Sequence, residues 1–407
     1  MYAKQNIKKG SILLKEQPFV YILNSAIRTQ HCDSCFKKGD LLKCSNCHYV
    51  YYCGKECQRE GWPLHKGECN SLKRIAPRMV PDAARLLARL IQKLNKGGNS
   101  NRSYYMRDRF RTFKDLMSHY GDLKTDERRL EHFTALCSVL KEFLSDAIMP
   151  NSVELLGMYG RMCINSFNII DSEMKTLGTG IYLAASILDH SCEPTAVATF
   201  IGTTLYIRSL CDMKCLDWNK VYISYIDVLN SPKERQNELE KQYYFLCQCP
   251  KCIDDTVLGI MNAAVCQNVD CGGYINMNNV DINDLVKCGK CNTQLEKEFI
   301  TDLDVCKICL EKSQGILYKL NIQHVKLLDS SFECSIDLEQ WNDAKNFGTQ
   351  LLEGYLFYYN DLSPLLGLLY MKLSKIHLLF NEEKEAKKNE IRPLMEQLAC
   401  ERNMNGF

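Results

Sequence analysis

The spacing of apolar and polar positions changes period along the chain. Near the N-terminus the apolar runs are short and strand-like. Ser11-Ile12-Leu13-Leu14 comes first, after the turn Lys8-Lys9-Gly10, and Phe19-Val20-Tyr21-Ile22-Leu23 follows. Over residues 80–160 the period is helical. Ala84, Leu87, Leu90, Ile91 and Leu94 mark one face, Pro81 suits a first helical position and Gly97-Gly98 supplies the stop. Further helices are expected over 105–120 and 127–148, ahead of Pro150. The charged positions on these helices are expected to be solvated, and no catalytic constellation stands among them. Over 161–252 β-branched and aromatic runs return as Ala196–Ile201, Thr204–Ser209 and Val221–Ile226, with Gly202-Thr203 as a hairpin turn. From 300 to 407 amphipathic helices recur, in EQWNDAKNFGTQLLEGYLFYY and PLLGLLYMKLSKIHLLFNEEKEAKKN, with a break near Ser363-Pro364.

At 407 residues the chain can hold two or three domains. Its net charge of +2 asks for neither a nucleic acid nor a membrane surface. MYAKQNIKKG is too polar for a signal peptide, and no apolar run reaches the ~18 residues of a membrane span. Against that background the 23 cysteines point to a reducing compartment and metal sites.

Eight ligands crowd the stretch from Cys32 to Cys69. They come as Cys32-x2-Cys35, Cys44-x2-Cys47, Cys53-x3-Cys57 and His65-x3-Cys69. Eight soft or borderline ligands make two four-coordinate sites, as structural zinc requires. The x3 gaps suit ligands one helical turn apart. Spacing alone leaves the pairing open. A disulfide cluster is the competing reading; the absence of a secretory signal and the histidine in register disfavour it. Taken over residues 31–75, with seven thiolates and two zinc ions, the formal charge is zero. That gives little support to phosphate-backbone binding, so the segment reads as a protein-docking module.

Other polar groups interrupt the strand-rich region without helping it form strands. They are Asn165-Ser166-Phe167-Asn168, the run Asp189 to Pro194, and Tyr225. Cys247-x-Cys249-x2-Cys252 supplies three zinc ligands and needs a distant fourth, for which Cys192 is the candidate. Such a site would tie the His190 loop to the Phe245 segment. Cys266-x4-Cys271 and Cys288-x2-Cys291 read as a fourth zinc site of ribbon type. Cys306-x2-Cys309 lies in a helical pattern with no second pair and reads as helix core.

The finger pattern, with Tyr52-Cys53 and the run Trp62 to His65, resembles a MYND finger. That resemblance implies interleaved sites: Cys32, Cys35, Cys53 and Cys57 on one ion, and Cys44, Cys47, His65 and Cys69 on the other. Strands, inserted finger, GTGIYLAASILDHSCEP, ISYIDV and CQCPKC together resemble the SET-and-MYND family of protein lysine methyltransferases, over most of the chain. The resemblance implies an α+β fold. A SET β-fold is interrupted by the finger and a helical insert, then followed by a Cys-rich post-SET segment and a helical C-terminal domain. It further implies that Asn165, Leu188, Asp189, His190, Tyr225 and Phe245 line an S-adenosylmethionine pocket and a lysine channel. Cys192, Cys247, Cys249 and Cys252 would bind a third zinc. The C-terminal helices resemble tetratricopeptide-like hairpins, which that family carries as a lid; an irregular bundle is the alternative.

The chemistry suits these residues. Methyl transfer to an amine is a direct displacement that needs a neutral lysine, in-line geometry and a dry cleft. Tyr225 is the residue expected to orient the amine, Phe245 to wall the channel and His190 to buttress it. The sequence departs from the family in three places. Asp189 and Thr195 stand where the family motif has asparagines, and an aspartate cannot donate as an amide does. Cys215 to Lys220 replace a Gly-Glu-Glu turn. The chain opens at Met1-Tyr2-Ala3, past a glycine-rich turn, so the first SET strands are expected to be truncated.

The expected domains are 1–24 (N-terminal SET strands), 30–70 (finger), 76–160 (helical insert), 161–240 (SET core), 241–256 (post-SET zinc segment) and 257–407 (ribbon-like zinc site and helical hairpins). The expected activity is S-adenosylmethionine-dependent methylation of a lysine on a histone or another protein, in nucleus and cytoplasm. Three to four structural zinc ions, protein partners at the finger and a monomeric state complete the expectation. A catalytically inactive SET–MYND adaptor is the alternative.

Overall fold

A computed structural model describes residues 6–144, 148–277, 286–294 and 316–380. The chain divides into two compact units. The first is Met1–Asp189, Thr195–Ile223 and Gln242–Tyr244; the second is His190–Pro194, Ser224–Lys241 and Phe245–Phe407.

Two small sheets frame the first unit. Strand β1 (Ile12–Glu16) pairs antiparallel with β6 (Thr204–Ser209), which pairs with β5 (Ala196–Ile201). The β5–β6 hairpin closes through Gly202 at φ 59, with Ile201 opposite Thr204, as a two-residue turn demands. The second sheet has β4 (Thr176–Ile181) between β2 (Val20–Leu23) and β3 (Ser166–Ile170). The sequence pattern did not mark β3, which opens on Ser166 and carries Asn168, or β4, where Gly178 and Gly180 dilute the strand signal. Packing requires Gly178. A Cβ there would lie 2.1 Å from the Ile22 carbonyl oxygen and 2.7 Å from the Phe36 ring.

Helix α1 (Lys55–Ile75) belongs to the finger, and α2 (Asp82–Asn95) follows it. Pro81 stands at the N-cap of α2, one position before the first helical residue. All five apolar positions of the predicted α2 face are buried. They join one core with the finger's Cys44, Cys47 and Cys69, with α3 (Glu127–Phe143) and with α4 (Ser152–Asn165).

The predicted helix over 105–120 does not form. Ser103–Tyr104 pairs with Phe110–Arg111 instead, and Phe113–Asp115 makes one 3-10 turn. Local side chains outcompete the helix there. The Asp115 carboxylate accepts from the Thr112 backbone and hydroxyl, while Arg111 donates to the carbonyls of Ser186 and Asp115. The predicted strand Val221–Ile226 is paired only over Tyr222–Ile223.

The second unit begins around α5 (Pro232–Tyr243, its last residues belonging to the first unit). Strands β7 (Ala263–Val265) and β8 (Tyr274–Asn276) form a hairpin. Helices α6 (Ile322–Asp337), α7 (Trp341–Tyr358) and α8 (Pro364–Leu379) pack successively, with Val325, Leu328, Phe332, Leu351, Leu369 and Leu373 in their core. Ser363 and Pro364 take the N-cap and N1 positions of α8. The predicted helix preceding α6 is corrected at its end, where Leu317 makes an antiparallel bridge to Ala264. Cys306, Cys309 and the tail beyond Phe380 lie outside the described residues. No helix among the described residues is long and apolar enough to cross a membrane.

Candidate functional site: zinc clusters and the His190–Tyr225–Phe245 set

The structure gathers all sixteen sequence-predicted metal ligands into four clusters. They are Cys32/Cys35/Cys53/Cys57, Cys44/Cys47/His65/Cys69, Cys192/Cys247/Cys249/Cys252 and Cys266/Cys271/Cys288/Cys291. Within each, every ligand atom lies within 4.8 Å of the others. All sixteen lie with the free cysteines or, at His65, contribute Nε2, and none is in a disulfide.

In the finger the fit to zinc can be tested on distances. Two sulfurs bound tetrahedrally at about 2.3 Å from one ion sit about 3.8 Å apart. Cys35 and Cys53 are 3.6 Å apart, Cys44 and Cys69 3.8 Å, and Cys47 Sγ lies 3.5 Å from His65 Nε2. The sites interleave in sequence, and α1 carries ligands of both: Cys57 for one, His65 and Cys69 for the other.

Behind His65 lies a polar network that the sequence did not reveal. Its Nδ1 faces Glu68 Oε1 at 3.2 Å. The Glu68 carboxylate takes Arg85 Nε and Nη2 at 3.1 and 2.7 Å, and Arg89 Nη2 at 2.6 Å. Asp33, between Cys32 and Cys35, takes the same two guanidiniums at 3.0 and 2.7 Å. Arg89 Nη1 also donates to the Tyr21 carbonyl of β2 at 2.6 Å. All four charged side chains are buried, so the expectation that charges on these helices are solvated is corrected for Arg85 and Arg89. Two carboxylates and two guanidiniums balance, which is what allows a charge to leave water. Burial would raise the Glu68 carboxyl, but Arg85, Arg89 and His65 overturn this and hold it well below the ordinary range.

Glu16 likewise carries no signal in the sequence that sets it apart. It is an inward-facing acid near the end of β1, buried, and its carboxylate accepts from Ala184 and Ala185 N–H at 2.9 and 2.8 Å. It thereby holds the turn that leads to Leu188 and Asp189. Leu188 is buried and Asp189 is exposed. Asn165, at the end of α4, is buried and donates its amide to the carbonyls of Met117 and Arg161, both at 2.8 Å. Thr195 stitches the first unit in place of an asparagine: its hydroxyl donates to Lys220 O and accepts from Tyr222 N, both at 2.9 Å.

In the second unit Cys192 Sγ lies 3.9 Å from Cys247 Sγ and 3.5 Å from Cys252 Sγ. These also match a tetrahedral edge. Arg235, a buried guanidinium, donates to the Val228 and Lys251 carbonyls at 3.3 and 2.8 Å and sits 3.6 Å from Cys252 Sγ. A cation there offsets the negative charge of four thiolates on one divalent ion. His190 connects this cluster to Tyr225. Its Nδ1 accepts the Tyr225 backbone N–H at 3.0 Å, so in the neutral ring Nε2 carries the proton and faces Cys192 Sγ at 3.3 Å. Burial pushes the imidazole down to about 4, with Arg235 adding to the fall against Cys249. The rings of Tyr225 and Phe245 lie 5.3 and 5.9 Å from that of His190. The Tyr225 N–H bond to a side chain also explains why the predicted strand stops at Ile223.

A zinc-clamped α+β protein with an inserted finger is thus the class. Residues 32–69 match the family model described as MYND finger. Human "Histone-lysine N-methyltransferase SMYD3" is 29% identical over 392 residues, covering 94% of this chain and 86% of that protein. Arabidopsis thaliana "Histone-lysine N-methyltransferase ASHR1" is 27% identical over 95% of this chain and 86% of its own length. Human "N-lysine methyltransferase SMYD2" is 24% identical over 92% of this chain and 86% of its own length. Finger and chain-long similarity together support the SET-and-MYND family for this chain and a methyltransferase activity at the level of that family.

Proposed function

We propose that this protein is an S-adenosylmethionine-dependent protein lysine N-methyltransferase. The observation that carries the reading is the chain-long similarity to three named lysine methyltransferases. The His190, Tyr225 and Phe245 rings support it. Aromatic faces suit a sulfonium or an ammonium, both of which are cations attracted to a ring. Bound S-adenosylmethionine supplies an electrophilic methyl group. Tyr225 orients the acceptor amine through its hydroxyl, Phe245 walls the acceptor channel, and His190 fixes the Tyr225 backbone. Asn165, Leu188 and Asp189 keep the cofactor-binding assignment that the family resemblance implies. With its amide protons committed to main-chain carbonyls, Asn165 has Oδ1 left to offer a ligand. Zinc is structural throughout this reading. The substrate class is a lysine on a histone or another protein, met in nucleus or cytoplasm, with further protein partners at the finger.

Calorimetric titration of the chain with S-adenosylmethionine tests this, paired with transfer of labelled methyl groups to a lysine-containing protein mixture. Saturable binding with label on lysine is the expected result. Neither binding nor transfer would overturn the enzyme reading in favour of the adaptor.

A further inference from the structure

The cysteines at 266, 271, 288 and 291 take no part in the proposed chemistry, yet their backbone repeats that of the finger. In the finger, the residue after the second cysteine of each Cys-x2-Cys pair has positive φ: Phe36 at 62° and His48 at 54°. Each of these residues donates its N–H to the carbonyl of the first cysteine, Phe36 to Cys32 and His48 to Cys44, both at 3.0 Å. Asn292, following Cys291, has φ 58° and donates to the Cys288 carbonyl at 2.9 Å. Backbone N–H groups also face sulfur in both, at different positions: Tyr49 N–H points at Cys47 Sγ, the second cysteine of its pair, over 3.5 Å, and Lys290 N–H at Cys288 Sγ, the first of its pair, over 3.4 Å. Such turns aim N–H groups at thiolates, which must be negative to bind a metal.

The opposing pair completes the shape. Cys266 and Cys291 sulfurs are 3.5 Å apart, Cys271 and Cys288 3.7 Å. These are edges of a tetrahedron about a single ion, far longer than the ~2.05 Å of a disulfide. Gly273 lies against two of the sulfurs; a Cβ there would come 3.1 Å from Cys271 Sγ and 3.3 Å from Cys288 Sγ. The Lys290 ammonium, held on the Cys271 carbonyl at 2.6 Å, brings a positive charge beside the four thiolates. The buried cluster here is Cys266, Cys271, Cys288 and one isoleucine, Ile275. So small a core cannot hold a fold without a staple.

We infer that these four thiolates hold a further structural zinc ion, outside both the MYND finger and the Cys192 cluster, and that it fixes the start of the C-terminal helices. The link is main-chain. Val265 N–H donates to Ile316 O at 2.7 Å and Tyr318 N–H to Ala263 O at 3.1 Å. Asn321 donates its amide to Ala263 O at 2.9 Å and caps α6 by accepting from Gln323 N–H at 2.9 Å. The hairpin that carries the ligands therefore also positions the cap of α6.

The test uses the full chain as purified. Elemental analysis and native mass spectrometry should give four zinc ions per chain, falling by one in Cys288→Ser. Native-state alkylation with N-ethylmaleimide, mapped by peptide, needs no variant. Cys266, Cys271, Cys288 and Cys291 should be protected as Cys44 and Cys47 are, and should react once a chelator is added, whereas the exposed Cys334 reacts at once. In Cys288→Ser, amide exchange over the first turn of α6 should quicken while that over α1 stays unchanged. Labelling of the four at the rate of Cys334, disulfides among them, iron in place of zinc, or an unchanged zinc count in Cys288→Ser would each overturn the inference.

Discussion

Glu68 Oε1 lies 3.2 Å from His65 Nδ1, on the side of the imidazole opposite the thiolates. A carboxylate in that position fixes the tautomer and makes Nε2 a better metal donor. Glu68→Gln should therefore weaken zinc at that site by roughly 10–100-fold. Release to a chromophoric chelator would read this as one ion leaving early. Release kinetics matching the unaltered protein would refute it.

The same carboxylate is shared with Arg85 and Arg89. Removing one cation leaves a buried negative charge without its partner. Arg85→Met should cost about 3–5 kcal/mol. A double replacement that also neutralises Asp33 should recover part of that loss, because the charge balance returns. Urea titrations of the two variants check the prediction, and equal loss in both would count against it.

Tyr225→Phe isolates a single oxygen atom. Methyl transfer should fall by roughly 10²-fold or more, as loss of substrate orientation typically does. Affinity for S-adenosylmethionine should stay within a few fold. Equal losses in both measurements would make Tyr225 a packing residue.

Gly178→Ala should break the contact between β4 and β2, since the new methyl group would meet the Ile22 carbonyl at 2.1 Å. Overpacking of this kind costs about 1–3 kcal/mol or more. Because the Phe36 ring is the second obstacle, the finger should loosen with the sheet. Thermal melting together with zinc retention would show whether the two fail as one.

His324 on α6 is buried, its Nδ1 has no hydrogen-bond partner among the described residues, and burial pushes its imidazole down. Unfolded, it binds a proton near pH 6.5; folded, it does so only at lower pH. The unfolded state then holds more protons across that window, so stability is lost as pH falls below about 6.5. The difference in melting temperature between the native protein and His324→Gln should be constant above neutrality and shift against the native protein below it. A pH-independent difference would remove His324 from the account.

Much of the architecture was legible because metal ligands announce themselves by spacing. The finger, the Cys192 cluster and the ribbon were all marked by short cysteine intervals, and the hairpin at Gly202 by its turn residues. What escaped notice depended on tertiary context. Arg85 and Arg89 sit in a helical pattern like any solvated arginine, and only Glu68 and Asp33, distant in sequence, draw them inward. Strand β3 opens on polar Ser166 and carries Asn168, and β4 carries Gly178 and Gly180, which lower propensity but permit close approach. Tyr225 leaves the expected ladder because an imidazole from 35 residues upstream takes its N–H.

Helix α1 acts as a common rod through two metal centres, with Cys57 on one and His65 and Cys69 on the other. A rise of about 1.5 Å per residue separates Cys57 and His65 by about 12 Å along its axis. A single residue inserted between them would turn everything downstream by about 100° and swing the second pair of donors away from their ion. The length of that stretch is therefore fixed by two metal centres at once.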